Sequence, residues 1–355
     1  MSIRRSAAAP VLVLALILSA CGASAALPTA APAPAPTAAQ PTVAALPTAA
    51  PAPAPTAEPT TAQPTTAPEA APTPAGAGAT ITDSAGHIIT LAATPERLIS
   101  LAPSTTEILF ALGLGPKLLA ADDFSDYPAE AKNLPKVGGL NAAYNFEQIV
   151  ALKPDLVFAA GITPPEAIAK LEQLKLPVLV LGSEKTSFDS IFSDIMLAGQ
   201  ATGQVAQAEQ ITSAMKAKLE SIKSKAAAAT EKPLVYWELD ATDPAKPYSI
   251  GTGNFVSDMV ALVGAVNVFD KTDSPYPQVS SEQVVAANPD VIILSDAAYG
   301  ITVESVMQRP GWQAITAVKQ QRIEPIDDNL VSRPGPRIVD GLEATAKIIH
   351  PELFK

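Results

Sequence analysis

Apolar and polar positions fall into one arrangement that occurs twice in this chain. Residues 145–158 read Asn-Phe-Glu-Gln-Ile-Val-Ala-Leu-Lys-Pro-Asp-Leu-Val-Phe, and residues 280–293 read Ser-Ser-Glu-Gln-Val-Val-Ala-Ala-Asn-Pro-Asp-Val-Ile-Ile. Asn145 and Ser280 are good N-caps, because their side-chain oxygens can accept from free backbone N–H groups. Gln148 and Gln283 stand where a capping box is completed. A short helix follows, and proline ends it by removing a donor and crowding the preceding turn. Leu156-Val157-Phe158 and Val291-Ile292-Ile293 then run apolar without alternation, the mark of a strand buried on both faces. A cap, one short helix and a buried strand, repeated at long separation, predict two Rossmann-like α/β lobes with a cleft between them, where small molecules bind.

The remaining pattern extends that plan. Ile81 and Ile88 to Leu91 flank Asp83-Ser84-Ala85-Gly86 and predict a hairpin. Arg97 to Leu101 reads as a buried strand, followed by a helix ending at Gly113 that Ser104 or Thr105 would cap. The free N–H groups of that helix would face the cleft. Asp126-Tyr127-Pro128 reads as a turn that presents an aromatic ring, and Tyr144 leads into the first repeat. A helix covers 166–174, a strand 178–181, and another helix starts near Phe188. Residues 198–203 interrupt its periodicity. A long helix over 204–229 spans roughly 35–40 Å and serves as a rigid connector. The first lobe is thus 80–203 and the second 230–355. In the second lobe Tyr248 and Tyr276 lie in proline-rich loops, Tyr299 follows the repeated strand, 327–336 is a loop, and 337–349 is the closing helix.

Composition divides the chain before residue 80. Residues 1–21 carry Arg4 and Arg5, then an apolar run from Val11 to Leu18 that is short for a membrane span. The segment ends in Leu-Ser-Ala-Cys, which looks like a lipobox, so Cys21 is expected to carry lipid and become the mature N-terminus. Cys21 is the only cysteine, which excludes an intramolecular disulfide and a cysteine-rich metal site. Residues 22–79 are almost wholly Ala, Pro and Thr. Such a segment buries too little apolar area to offset the entropy of ordering, and reads as an extended, disordered tether. The formal charge of −11 argues against nucleic acid as a partner.

Catalytic chemistry finds little support. Ser104 lacks a nucleophile elbow, and the two histidines lie near opposite ends of the folded region. His87 reads as a residue beside the hairpin turn, and His350 as the residue past the last helix. A zinc or manganese receptor would need several His or carboxylate ligands, so no metal site and no catalytic residue is expected. The lone Gly-x-Gly at Gly251 and Gly253 is weak as a nucleotide signal; a close backbone approach to the cleft fits it better.

Arg97 to Gly113, the paired Glu-Gln…Pro-Asp segments, Arg309 to Trp312 and Arg333 to Asp340 together resemble the iron-complex and vitamin B12 class of ABC-transporter substrate-binding proteins. The resemblance covers nearly all of 80–355 and implies the class III fold, two lobes joined by one long rigid helix, with no cofactor beyond the transported ligand. Ser125 to Pro128, Pro275 to Ser280 and Asp328 to Arg337 are most similar to the vitamin B12 binders. By that resemblance Tyr127, Tyr248 and Tyr276 would touch a corrin, Tyr276 standing where tryptophan is usual. Asp328 and Arg333 would meet its polar edge. Tyr144, Tyr299, Ser104 and Thr105 complete the expected ligand set. Glu147 and Glu282, one per lobe, would dock onto arginines of a permease dimer served by its ATPase. The resemblance thus implies a monomeric, lipid-anchored receptor on the outer face of the cytoplasmic membrane. Haem, a ferric siderophore, and a scavenger or sensor without a transporter stay open beside the corrinoid.

Overall fold

The computed structural model describes residues 79–139, 143–182 and 185–355. The expected signal segment with Cys21, and residues 22–78 of the tether, lie outside them. Ala79, read from the sequence as the end of the tether, instead opens the first strand. The hairpin forms as its pattern predicts, β1 (Ala79–Thr82) pairing antiparallel with β2 (Ile88–Leu91). Asp83 holds the turn. Its carboxylate accepts from the amides of Ala85 and His87 and from His87 Nδ1, and reaches the Val180 amide at 3.1 Å, tying the hairpin to the first lobe.

The first lobe continues with β3 (Leu98–Ser100), α1 (Pro103–Ala111), β4 (Leu118–Ala121), α2 (Phe146–Ala151), β5 (Leu156–Ala160), α3 (Pro165–Gln173), β6 (Val178–Leu181) and α4 (Phe188–Thr202). Helix α5 (Val205–Ala226) leads to the second lobe: β7 (Leu234–Asp240), β8 (Tyr248–Ser249), α6 (Phe255–Leu262), β9 (Val266–Asn267), α7 (Ser281–Ala287), β10 (Val291–Leu294), α8 (Val303–Met307), α9 (Thr316–Lys319), β11 (Ile323–Pro325), α10 (Asp328–Val331) and α11 (Ile338–Ile349). The first sheet runs β4-β3-β5-β6, every pair parallel. In the second sheet β7 pairs with β9 and β10, and β10 with β11, again all parallel, which repeats the same order. Antiparallel β8 is an addition on the β9 side of β7. Strands β5, β6 and β10 are buried at every residue, as their unbroken apolar runs require.

The repeated segments explain the match between sheets. Ser280 makes the full capping box with Gln283, while Asn145 caps α2 by accepting from the Gln148 amide. Lys153 and Asn288, each just before the proline, turn the chain with φ of 47° and 46°. The aspartate after each proline then clamps the neighbouring strand. Asp155 Oδ2 accepts from the Glu96 and Arg97 amides, and Asp290 Oδ2 from the Leu234 amide.

The connector differs from its sequence reading in one respect. Residues 198–202 are helical, and α4 ends only at Gly203, whose φ of +72° suits glycine. Gly199 marks close packing and not a break: a Cβ there would lie 2.6 Å from the Ala208 Cβ. Helix α5 buries Ala208, Thr212, Met215, Leu219, Ile222 and Ala226, a stripe at alternating four- and three-residue spacing. It packs on α4 of the first lobe and α11 of the second, where Lys218 Nζ meets Asp340 and Glu343 at 2.6 Å each.

Candidate functional site

In both sheets the chain leaves the first parallel strand toward one side and returns on the other. That reversal opens a crevice at the carboxyl ends of β3 and β5, and of β7 and β10, where open α/β sheets bind ligands. At the first crevice, α1 begins at Pro103 with Ala102 as N-cap and no side-chain cap. Neither Ser104 nor Thr105 caps the helix, because proline at the first helical position sets the cap one residue earlier than a hydroxyl signal suggests. Thr105 turns inward and is fully buried, its Oγ1 2.6 Å from Ser100 Oγ and 2.9 Å from the Ala102 carbonyl. Thr105 is therefore a scaffold residue and not a ligand contact. Thr106 continues this hydroxyl chain to Ser125, which bonds Asp122 at the end of β4. Burial pushes the Asp122 carboxyl up against those bonds. The chain fixes the loop that carries Asp126 and Tyr127.

Across from that loop stand two arginines of the second lobe. Arg337 grips Glu107 with Nε at 2.8 Å and Nη2 at 2.6 Å. Arg333 meets Asp126 at 2.6 Å and Glu107 at 3.3 Å. The Arg337 guanidinium also lies 3.7 Å from the centroid of the Tyr127 ring, a cation–π stack. Burial raises Asp126, but the hydrogen bond and charge of Arg333 outweigh it and hold the carboxyl below its ordinary value. Gly335 sits in the same loop, where a Cβ would come 3.5 Å from the Ser104 carbonyl. A cavity of about 600 Å³ opens beside Tyr127, lined by Phe110, Pro128 and Leu134 of the first lobe and Pro336 and Arg337 of the second. Arg333, expected to meet ligand freely, is thus engaged across the lobes and 12% exposed. Sequence patterning gives no sign of its partner Glu107, which lies 226 positions away. Asp328 accepts from Ser332 Oγ at 3.0 Å, and burial pushes its carboxyl up.

The second lobe presents three tyrosines, Tyr248, Tyr276 and Tyr299, all exposed. Tyr299 follows β10 at the crevice. Tyr248 bridges antiparallel to Gln278, which brings it to the same edge as Tyr276. The Pro275–Pro277 loop is bolted in place by Gly251 N and Asn254 Nδ2 on the Pro275 carbonyl and Ser249 N on that of Pro277. Gly251 is needed here because a Cβ would lie 2.1 Å from the Ser274 carbonyl. The close approach is thus to this loop and not to the cleft. Beneath the edge, buried Glu238 accepts from both Nη1 and Nη2 of Arg309, and Asp296 accepts from the Ala241 amide with Oδ2 while Oδ1 has no partner among the described residues.

Tyr144 departs from its expected role. It is 7% exposed, packs in the first-lobe core, and donates its hydroxyl to the Leu101 carbonyl at 3.1 Å, so it holds the crevice strand and does not face a ligand. Glu147 and Glu282 lie exposed in the first turns of α2 and α7, one on each lobe. The Glu282 carboxyl is held below its ordinary value by its own backbone amide and the Ser280 side chain. His350, 3% exposed, caps the end of α11, and His87 stays in the hairpin turn. Among the described residues no cluster of His, Cys, Asp and Glu could hold a metal ion, and no helix is long and apolar enough to cross a membrane.

Residues 98–330 match the family described as periplasmic binding protein. An ABC transporter substrate-binding lipoprotein of Bacillus subtilis, YvrC, itself uncharacterized, is 35% identical over 282 residues, 78% of this chain and 87% of its own length. The crystal structure of the periplasmic vitamin B12 binding protein BtuF of Vibrio cholerae is 30% identical with a TM-score of 0.63, over 74% of this chain and 99% of that one. The periplasmic heme-binding protein RhuT of Roseiflexus sp. RS-1, in apo form, is 28% identical with a TM-score of 0.65, over 73% and 99%. The chain is a member of the periplasmic binding protein family, with two parallel α/β lobes in the class III arrangement.

Proposed function

We propose that this protein is a lipid-anchored receptor that captures a corrinoid between its lobes and delivers it to an ABC importer. The observation that carries the ligand class is the charge balance at the crevice. Arg333 and Arg337 are already neutralised by Asp126 and Glu107, while Tyr127, Tyr248, Tyr276 and Tyr299 expose their rings. A dianionic haem or an anionic iron chelate needs spare cations, whereas a broad, amide-rimmed corrin needs aromatic faces and hydrogen-bonding edges. Asp328 and the N-terminus of α1 at Ser104, which no side chain caps, would serve the amide rim. Similarity to the vitamin B12 binding protein supports the same class. Similarity to RhuT supports haem as the second reading. In that reading an exposed crevice tyrosine would have to supply the axial ligand, since neither histidine stands there.

Anchoring rests on Cys21 after its apolar run, and docking on Glu147 and Glu282, one acid per lobe for a two-fold permease. Titration of the 70–355 unit with cyanocobalamin, haemin and ferric siderophores in a calorimeter tests the ligand. Saturable heat from cyanocobalamin alone is expected, with little change between low and high salt because no net charge pairs. Binding of haemin alone replaces the corrinoid reading with the second. In host cells, E147A with E282A is expected to lower cyanocobalamin uptake at least about tenfold while leaving affinity unchanged.

A further inference from the structure

The two repeats provide an internal control for the surface beside each docking acid. Val150 and Val285 occupy the same place in α2 and α7, three residues after the glutamate. Their surroundings differ. Val285 is half-buried against the second-lobe core, with its Cγ2 3.9 Å from the place a Gly311 Cβ would take. Trp312 locks that cover by donating from Nε1 to Ser281 Oγ at 2.6 Å. The covering segment belongs to the connection from β10 to β11, which has 28 residues, against 17 between β5 and β6. The shorter connection leaves the first lobe without such a cover. Val150 is 41% and Leu174 37% exposed, and between them runs a groove of about 740 Å³ bordered by Phe146, Glu147, Ala151 and Lys170. Glu147 forms no ion pair among the described residues.

We infer that the groove between α2 and α3 seats apolar side chains of an extracytoplasmic permease loop, next to the basic residue that Glu147 engages. The inference rests on the docking role proposed for Glu147 and Glu282. Charge selects the occupant: an unpaired carboxylate on the rim calls for a cation, and the apolar floor beside it calls for an aliphatic or aromatic neighbour on the same loop. The first lobe then supplies buried apolar contact, and the second only its acid. Docking is therefore unequal on the two halves of the permease.

A benzophenone attached at L174C in the full-length lipoprotein tests this in intact host cells, since Cys21 is the only native cysteine and is expected to be lipid-modified. The expected adduct is with the membrane-spanning subunit of an ABC permease, its yield falling about tenfold on adding V150D, at an exposed position, with cyanocobalamin affinity unchanged. No adduct with such a subunit, or one that V150D leaves intact, overturns the groove. An adduct that survives E147A with E282A overturns instead the docking role of the two acids, while leaving the permease as the groove's partner. V285D supplies the contrast: it is expected to lower thermal stability through its half-buried site and to leave the adduct in place.

Discussion

At the residue scale, the buried groups beneath the second-lobe edge set a measurable pH response. Asp296 is 3% exposed, and burial together with the nearby Glu238 charge pushes its carboxyl up to about 6 from 3.8. Between those two values the folded chain holds a proton that the unfolded chain has released. The contribution of Asp296 to stability is accordingly greatest below about pH 4, declines as pH rises toward 6, and levels off above. The decline due to Asp296 is of order 1–3 kcal/mol. Urea unfolding of D296N and the native protein at pH 4, 5, 6 and 7 checks it: the difference between the two should drift in favour of D296N through that window. A constant difference would mean that Asp296 titrates at its ordinary value. Nothing in the sequence hinted at this group, because its environment is made by Glu238, Ala241 and Arg309 from other elements.

At the element scale, the pattern was most legible where one segment settles its own structure. The repeated cap, short helix and apolar strand gave the parallel lobes, because the cap and the proline act within a few residues of themselves. Reading failed where a residue type has two uses. Gly199 looks like a helix breaker, yet it lies inside α4 because Ala208 of α5 needs the space. Thr105 looks like a cap, yet Pro103 moves the cap back and turns the hydroxyl to Ser100. Tyr144 and Arg333 were legible as types suited to a ligand. Their real partners, the Leu101 carbonyl and the Glu107–Asp126 pair, come together only in the tertiary structure. The α4–α5 contact gives a direct prediction. G199V drives side-chain atoms into Ala208 and is expected to cost about 1–3 kcal/mol by overpacking, read as a lower urea midpoint. A midpoint equal to that of the native protein would show that the two helices yield without strain.

At the scale of the whole molecule, the lobes are joined in two places. Helix α5 joins them through Lys218, which with Lys347 holds the Glu343 carboxyl down to about 2. The second join is the clasp of Arg333 and Arg337 on Glu107 and Asp126, which also stacks Arg337 on Tyr127. A rod on its own leaves rotation about its ends, which contacts that bridge the lobes at a second place oppose. Glu107 is the member to remove, because its side chain is 2% exposed and serves both arginines. E107Q leaves two guanidinium groups short of their counter-charge, at an expected cost of about 2–4 kcal/mol. If the clasp also sets the separation of the lobes, the ligand-free variant should have a larger radius of gyration by small-angle scattering. It should also bind cyanocobalamin more weakly, since freed Arg337 no longer orients the Tyr127 ring. A variant that is destabilised but keeps both its scattering profile and its affinity would assign Glu107 to stability alone and leave α5 as the sole determinant of the spacing between the lobes.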